Sequence, residues 1–142
     1  MVISHLSEPW KLQIDPLKRP PNAKLELAGS KSITNRALLI AALAEGRSTL
    51  SRALFAEDTL AMINCLQEFG IDIKHDHTTA TFAINGSGGE LETPQEELWV
   101  RQSGTTARFI LPLSALVKAP VEVDGDNQIR SRPQHDLSLI HI

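Results

Sequence analysis

The chain has 142 residues, of which 42% are hydrophobic and 22% charged, enough for one buried core and too apolar for a disordered chain. Its formal net charge of −3 argues against nucleic-acid binding, which needs a basic surface, and no apolar run reaches the ~20 residues that cross a bilayer. The single cysteine, Cys65, excludes an internal disulfide and a cysteine-based metal site, and its apolar helical setting marks it as a core thiol.

The first ten residues, MVISHLSEPW, have neither a basic start nor an apolar run, so no signal peptide is expected and a cytoplasmic location is the default. Residues 10–21 contain a short alternating strand that runs into Pro20 and Pro21, a hinge or boundary. Residues 24–28 alternate polar and apolar and read as a strand, stopped by Gly29 and Ser30. Ile33, Ala37, Leu38, Ala41 and Ala42 recur at helical spacing over residues 31–44, with Gly46 placed as the C-terminal cap. A strand at 48–51 follows, then Asp58 in position to cap a helix over 59–69 that Gly70 closes. Residues 71–74 and 80–84 read as two strands around a turn at 76–79, and Asn85-Gly86-Ser87 as a further turn. The order over 24–84 is thus β-α-β-α-β-β.

The order then begins again. Leu98 to Val100 is a short strand, Ser103 to Thr105 a turn, 105–117 a helix and 121–123 a strand, with a helix expected to start near Pro133. Placing Arg36 over Arg108 superposes helix on helix at an offset of roughly 72 residues, so two copies of one supersecondary unit are expected to pack side by side. The second unit stops before its last strands. Residues 137–142, LSLIHI, look like the translated end of a sequencing adapter, so the natural reading frame is expected to continue past Asp136, with 138–142 a non-native tail. An interrupted unit should leave Leu111, Leu113 and Leu116 partly uncovered and the fold marginally stable.

Chemistry concentrates at the strand-to-helix turn Gly29-Ser30-Lys31-Ser32-Ile33-Thr34-Asn35-Arg36. A helix N-terminus offers unpaired N–H groups and a partial positive charge, which favours an anion. Lys31 adds a compact cation and Ser32 a hydroxyl. Arg36, four residues after Ser32, shares its helix face and can grip a carboxylate or phosphate with two parallel bonds. A capped helix with a solvated Lys and Arg remains an equally open reading of the same residues. The turn is not a nucleotide-binding Walker loop, because Lys24 stands where the first glycine is required. His75 and His77 lack a third ligand and make no metal site; the acidic run 90–97 reads as a solvated loop.

GSKSITNRALLIAALAEG resembles the first signature of the 5-enolpyruvylshikimate-3-phosphate (EPSP) synthases. Glu57-Asp58-Thr59 resembles that family's acidic pair, Gln102-Ser103-Gly104-Thr105-Thr106-Ala107-Arg108 its second signature, and Gly125-Asp126 through Arg132-Pro133 its third. The sister UDP-N-acetylglucosamine enolpyruvyl transferases carry a different first motif and a loop cysteine that this chain lacks near Arg132. The resemblance implies an α/β (α+β) fold, an inside-out α/β barrel of β-α-β-α-β-β repeats. One full repeat lies here at about 22–88 and part of a second at about 89–137, forming a partial N-terminal domain over 21–137, while residues 1–20 supply a strand to the other domain.

The resemblance also implies transfer of the carboxyvinyl group of phosphoenolpyruvate to the 5-hydroxyl of shikimate-3-phosphate, by a monomer with no metal or organic cofactor. Lys31 would contact both substrates and is the catalytic candidate. Ser32 and Arg36 would hold shikimate-3-phosphate, Gly104 and Thr105 line the phosphoenolpyruvate pocket, and Arg132 bind its phosphate. Gln102, where the family usually has Asn, would still donate an amide hydrogen. Asp58 would order Lys31, and Arg108 would support the loop. The family's proton-transfer residues fall outside this sequence, so the chain alone is expected to bind without turnover. A non-catalytic phosphate- or shikimate-binding module is the alternative.

Overall fold

The computed structural model describes residues 16–133. The elements, in chain order, are α1 (Lys31–Leu43), β1 (Glu45–Leu50), α2 (Glu57–Glu68), β2 (Asp72–Asp76), β3 (Thr81–Ser87), β4 (Leu98–Trp99), α3 (Gly104–Ser114), β5 (Val123–Asp124) and α4 (Asn127–Arg130). No described helix is long and apolar enough to cross a membrane.

The first unit is a three-stranded sheet in the order β1-β3-β2, antiparallel throughout. Strands β1 and β2 flank β3 and therefore run parallel to each other, joined by the crossover helix α2. The β2–β3 hairpin turns where the Asp76 side chain takes the Thr78 N–H at 2.8 Å and the Thr79 hydroxyl at 2.8 Å. Those bonds hold the Asp76 carboxyl below its ordinary range. The second unit is a β-α-β crossover, with β4 and β5 paired in parallel and α3 between them in sequence.

One core joins the units. Leu38 and Ala42 of α1, Met62, Ile63 and Leu66 of α2, Phe69, Phe82 and Ile84 meet Leu98, Val100 and Ile110 of the second unit. Cys65 lies among them, 2% exposed. Burial, with Glu68 adding to it, pushes its thiol up to about 12, so it is a protonated core group. The two His beside the hairpin serve packing: the His77 ring stacks on Phe55 at 4.0 Å and His75 at 5.8 Å.

Several expectations are corrected. Residues 24–28 form no strand; Leu25 and Leu27 are 78% and 80% exposed, because no described strand offers the segment a ladder. The first described repeat is thus α-β-α-β-β. Gly46 does not cap α1: the chain turns extended at Ala44, and Gly46 sits in β1 at φ 83. The carbonyl of Ala42 in the last turn and that of Ala44, just past α1, are instead taken by Ser87 Oγ at 3.0 Å and by Gly88 N–H at 2.9 Å. Asn85-Gly86-Ser87 is the end of β3 and not a turn. Helix α2 starts two residues earlier than expected, so Asp58 lies inside its first turn and is not its cap. Ala56 holds that position, and the Thr59 hydroxyl takes its N–H at 2.9 Å.

Gly70 does close α2, at φ 84, with Gly70 N–H on Gln67 and Ile71 N–H on Leu66. Helix α3 ends at Ser114, three residues short of expectation, just past Pro112. Leu111 and Leu116 are exposed, but Leu113 is buried. The short helix α4 was not foreseen. The strand within 10–21, the helix from Pro133 and the tail lie wholly or mostly outside the described residues.

Candidate active site

Three helix starts meet on one side of the core. Helix α1 begins at Lys31 behind Ser30, whose hydroxyl takes the Ile33 N–H at 3.5 Å. Helix α3 begins at Gly104 behind Ser103, whose hydroxyl takes the Thr106 N–H at 3.1 Å. Between them starts α2, with Glu57 and Asp58 in its first turn, where acidic side chains complement the helix dipole. The two serine-capped starts leave main-chain N–H groups of α1 and α3 without helical partners.

The expected residues are placed as follows. Lys31 Nζ lies 3.2 Å from Asp58 Oδ2, with the two side chains 46% and 26% exposed. Ser32 is exposed on the same turn, and its carbonyl takes a 2.9 Å bond from Arg36 Nη1. Arg36 also lies over the Phe109 ring at 5.4 Å, which ties the cationic end of α1 to α3. Gly104 has the Arg132 guanidinium directly over it, in space that a methyl group would fill. Thr105 follows Gly104, half-buried, and Arg108 stands exposed one turn on.

Gln102 opens onto a cleft of about 410 Å³ lined also by Glu57, Asp58, Trp99, Arg101, Ser103 and Asp126. Lys31, Ser32, Arg36 and Arg132 are not among its lining residues. Sequence reasoning assigned no site role to Arg101 or Trp99, and named Asp126 only as part of the third signature. Arg101 takes a left-handed φ of 55, and its guanidinium pairs with Glu57. Its carbonyl takes the Asp126 N–H at 2.8 Å, and Gly125 leaves room for that approach. Nothing about an arginine announces a left-handed residue; Gly125 was the one legible hint. Beyond the cleft, Arg130 grips Asp124 through Nε at 2.9 Å and through Nη2. That bond and the Gly125 N–H hold the Asp124 carboxyl low. Among the described residues no group of His, Cys, Asp or Glu is arranged to hold a metal ion.

A family profile described as EPSP synthase (3-phosphoshikimate 1-carboxyvinyltransferase) matches residues 18–138. A 3-phosphoshikimate 1-carboxyvinyltransferase of Nostoc punctiforme is 46% identical over 129 residues, 91% of this chain and 30% of that protein. One from Methanothermobacter thermautotrophicus is 42% identical over 108 residues, 76% of this chain and 25% of that protein. The structure of EPSP synthase from Acinetobacter baumannii superposes with a TM-score of 0.72 at 27% identity, covering 82% of this chain and 27% of that one. The chain spans about 30% of the length of the curated relatives it matches. On the extent of these matches, the chain belongs to the EPSP synthase (3-phosphoshikimate 1-carboxyvinyltransferase) family.

Proposed function

We propose that the chain contributes the anion-binding part of an enzyme that transfers the carboxyvinyl group of phosphoenolpyruvate to the 5-hydroxyl of shikimate-3-phosphate, releasing inorganic phosphate. The observation that carries this reading is the junction of the α1 and α3 starts around α2, with Lys31 held at its edge by Asp58 at 3.2 Å. Two serine-capped helix starts and an ammonium group suit two anionic substrates held together.

In this reading Lys31, Ser32 and Arg36 hold shikimate-3-phosphate. Gly104 and Thr105, with the Gln102 amide, line the phosphoenolpyruvate pocket, and Arg132 takes its phosphate. The chemistry is addition followed by elimination. The 5-hydroxyl oxygen bonds to C2 of phosphoenolpyruvate as C3 gains a proton and the hydroxyl gives one up. Then C3 loses a proton as the C2–phosphate bond breaks. The fixed cations stabilise charge that develops in both steps, and neither step calls for a metal or organic cofactor. The reaction belongs to the cytoplasm, and the enzyme acts as a monomer.

Lys31 is nearly half exposed, which favours a second reading for the chain alone: it binds anions without turning them over. A phosphate-release assay separates the two. The protein extended to the length of its relatives should release phosphate from phosphoenolpyruvate only when shikimate-3-phosphate is present. Lys31→Met should cut that rate by about 10- to 100-fold, the loss of one charge-assisted contact. The 142-residue chain should release none. Turnover by the short chain would overturn the binding-only reading, and no release by the extended protein would overturn the assigned activity.

A further inference from the structure

Thr106 is fully buried, and its hydroxyl leads out of its own helix. Its Oγ1 lies 3.1 Å from the main-chain carbonyl of Asp58 and 2.7 Å from Ser103 Oγ. A carbonyl only accepts, so Thr106 donates its one proton to Asp58. Ser103 must then donate across the 2.7 Å contact, while its own oxygen takes the Thr106 N–H at 3.1 Å. The hydroxyl protons of both residues are thus committed inward. The cap of α3 uses the Thr106 N–H and not its hydroxyl, so capping does not explain why the hydroxyl is there.

Thr34 matches Thr106 in the first unit and is also buried. Its Oγ1 takes the Leu54 N–H at 3.1 Å. The two threonines grip the entry to α2 from both ends, at Leu54 before the helix and at Asp58 in its first turn. Thr59 closes the segment within, taking the Ala56 N–H and donating to the Leu54 carbonyl, each at 2.9 Å. Asp58, so fixed, holds Lys31. An ion pair as exposed as Lys31–Asp58 is loose by itself; anchoring the carboxylate's main chain through a buried bond narrows where the ammonium can sit.

We propose that Thr106, supported by Thr34, is a positioning residue for the substrate-anion site: its buried hydroxyl fixes the main chain of Asp58 and through it the Lys31 ammonium. The functional consequence rests on Lys31 being a substrate contact, but the coupling itself can be read without substrate.

The test is the exchange of the Lys31 Nζ protons with water, followed by NMR in the 142-residue chain, alongside thermal unfolding. Asp58→Asn sets the rate of a released ammonium. Thr106→Val should speed exchange about two- to fivefold, the worth of an exposed ion pair, toward the Asp58→Asn rate. In an Asp58→Asn background it should add nothing. Thr106→Ser, which keeps the hydroxyl, should stay at the wild-type rate. If Thr106→Val does not fold, Thr106→Ala carries the same prediction without a methyl group facing the Asp58 carbonyl. Wild-type exchange in whichever hydroxyl-free variant folds would overturn the proposal, as would equal acceleration by Thr106→Ser. Loss of enzyme activity for other reasons would move none of these rates, so failure of the proposed function and of this coupling are distinguishable.

Discussion

The two units use one helix in two settings. Thr34, Asn35, Leu38 and Ala41 are buried in α1, and Thr106, Ala107, Ile110 and Leu113 in α3, the same phase one repeat apart. The caps fall out of step by one residue, since Ser30 precedes Thr34 by four positions and Ser103 precedes Thr106 by three. Helix α1 rests on a three-stranded sheet, whereas α3 has only the two-residue pair β4 and β5. The burial phase is kept because both helices face one core; the supports differ because the first unit carries the packing and the second carries loops, Gln102, Arg101 and the turn to Arg132.

That division can be broken in graded steps. The largest effect belongs to the first unit: Phe82→Ala, at a side chain with no exposure, should cost about 3–5 kcal/mol in urea unfolding. Leu116→Ala, at an exposed site following α3, should stay within about 0.5 kcal/mol. Glycines give a second contrast. A methyl group on Gly86 would run into the main-chain carbonyls of Ala41 and Ala44, which cannot step aside, so Gly86→Ala should cost about 1–3 kcal/mol. On Gly104 it would meet only the end of the Arg132 side chain. Gly104→Ala should therefore leave the melting temperature nearly unchanged while weakening phosphate binding. A last contrast is at Asn35, fully buried with neither amide atom bonded within the described structure, where the second unit has Ala107. Asn35→Ala should change stability by no more than about 1 kcal/mol, since removing an unsatisfied amide offsets the lost packing.

Much of this was legible in the chain itself. Helix periodicity located α1 and α3, Gly70 marked the end of α2, and Asp76 the hairpin, because each rests on local chemistry. The repeat could be read from Arg36 and Arg108, whose helices share a burial phase. What could not be read depends on partners distant in sequence. Residues 24–28 alternate like a strand, but alternation does not supply a neighbour. Asp58 has the composition of a cap, yet the Ala56–Thr59 bond starts α2 earlier; its pairing with Lys31, 27 residues away, was legible only through the family resemblance. Arg101 gave no sign of its left-handed turn, which the Asp126 N–H and Glu57 impose from elsewhere. The Thr34 and Thr106 hydroxyls were likewise hidden, since a threonine on a helix does not reveal which main chain it will reach.

The most direct test is a titration of the 142-residue chain with inorganic phosphate, following the main-chain amides by NMR. The account predicts that the amides of Lys31 and Ser32 shift with added phosphate, as do those of Gly104 and Thr105, and that Lys31→Met abolishes the shift at Ser32. No movement at those amides, or an identical curve in Lys31→Met, would contradict it.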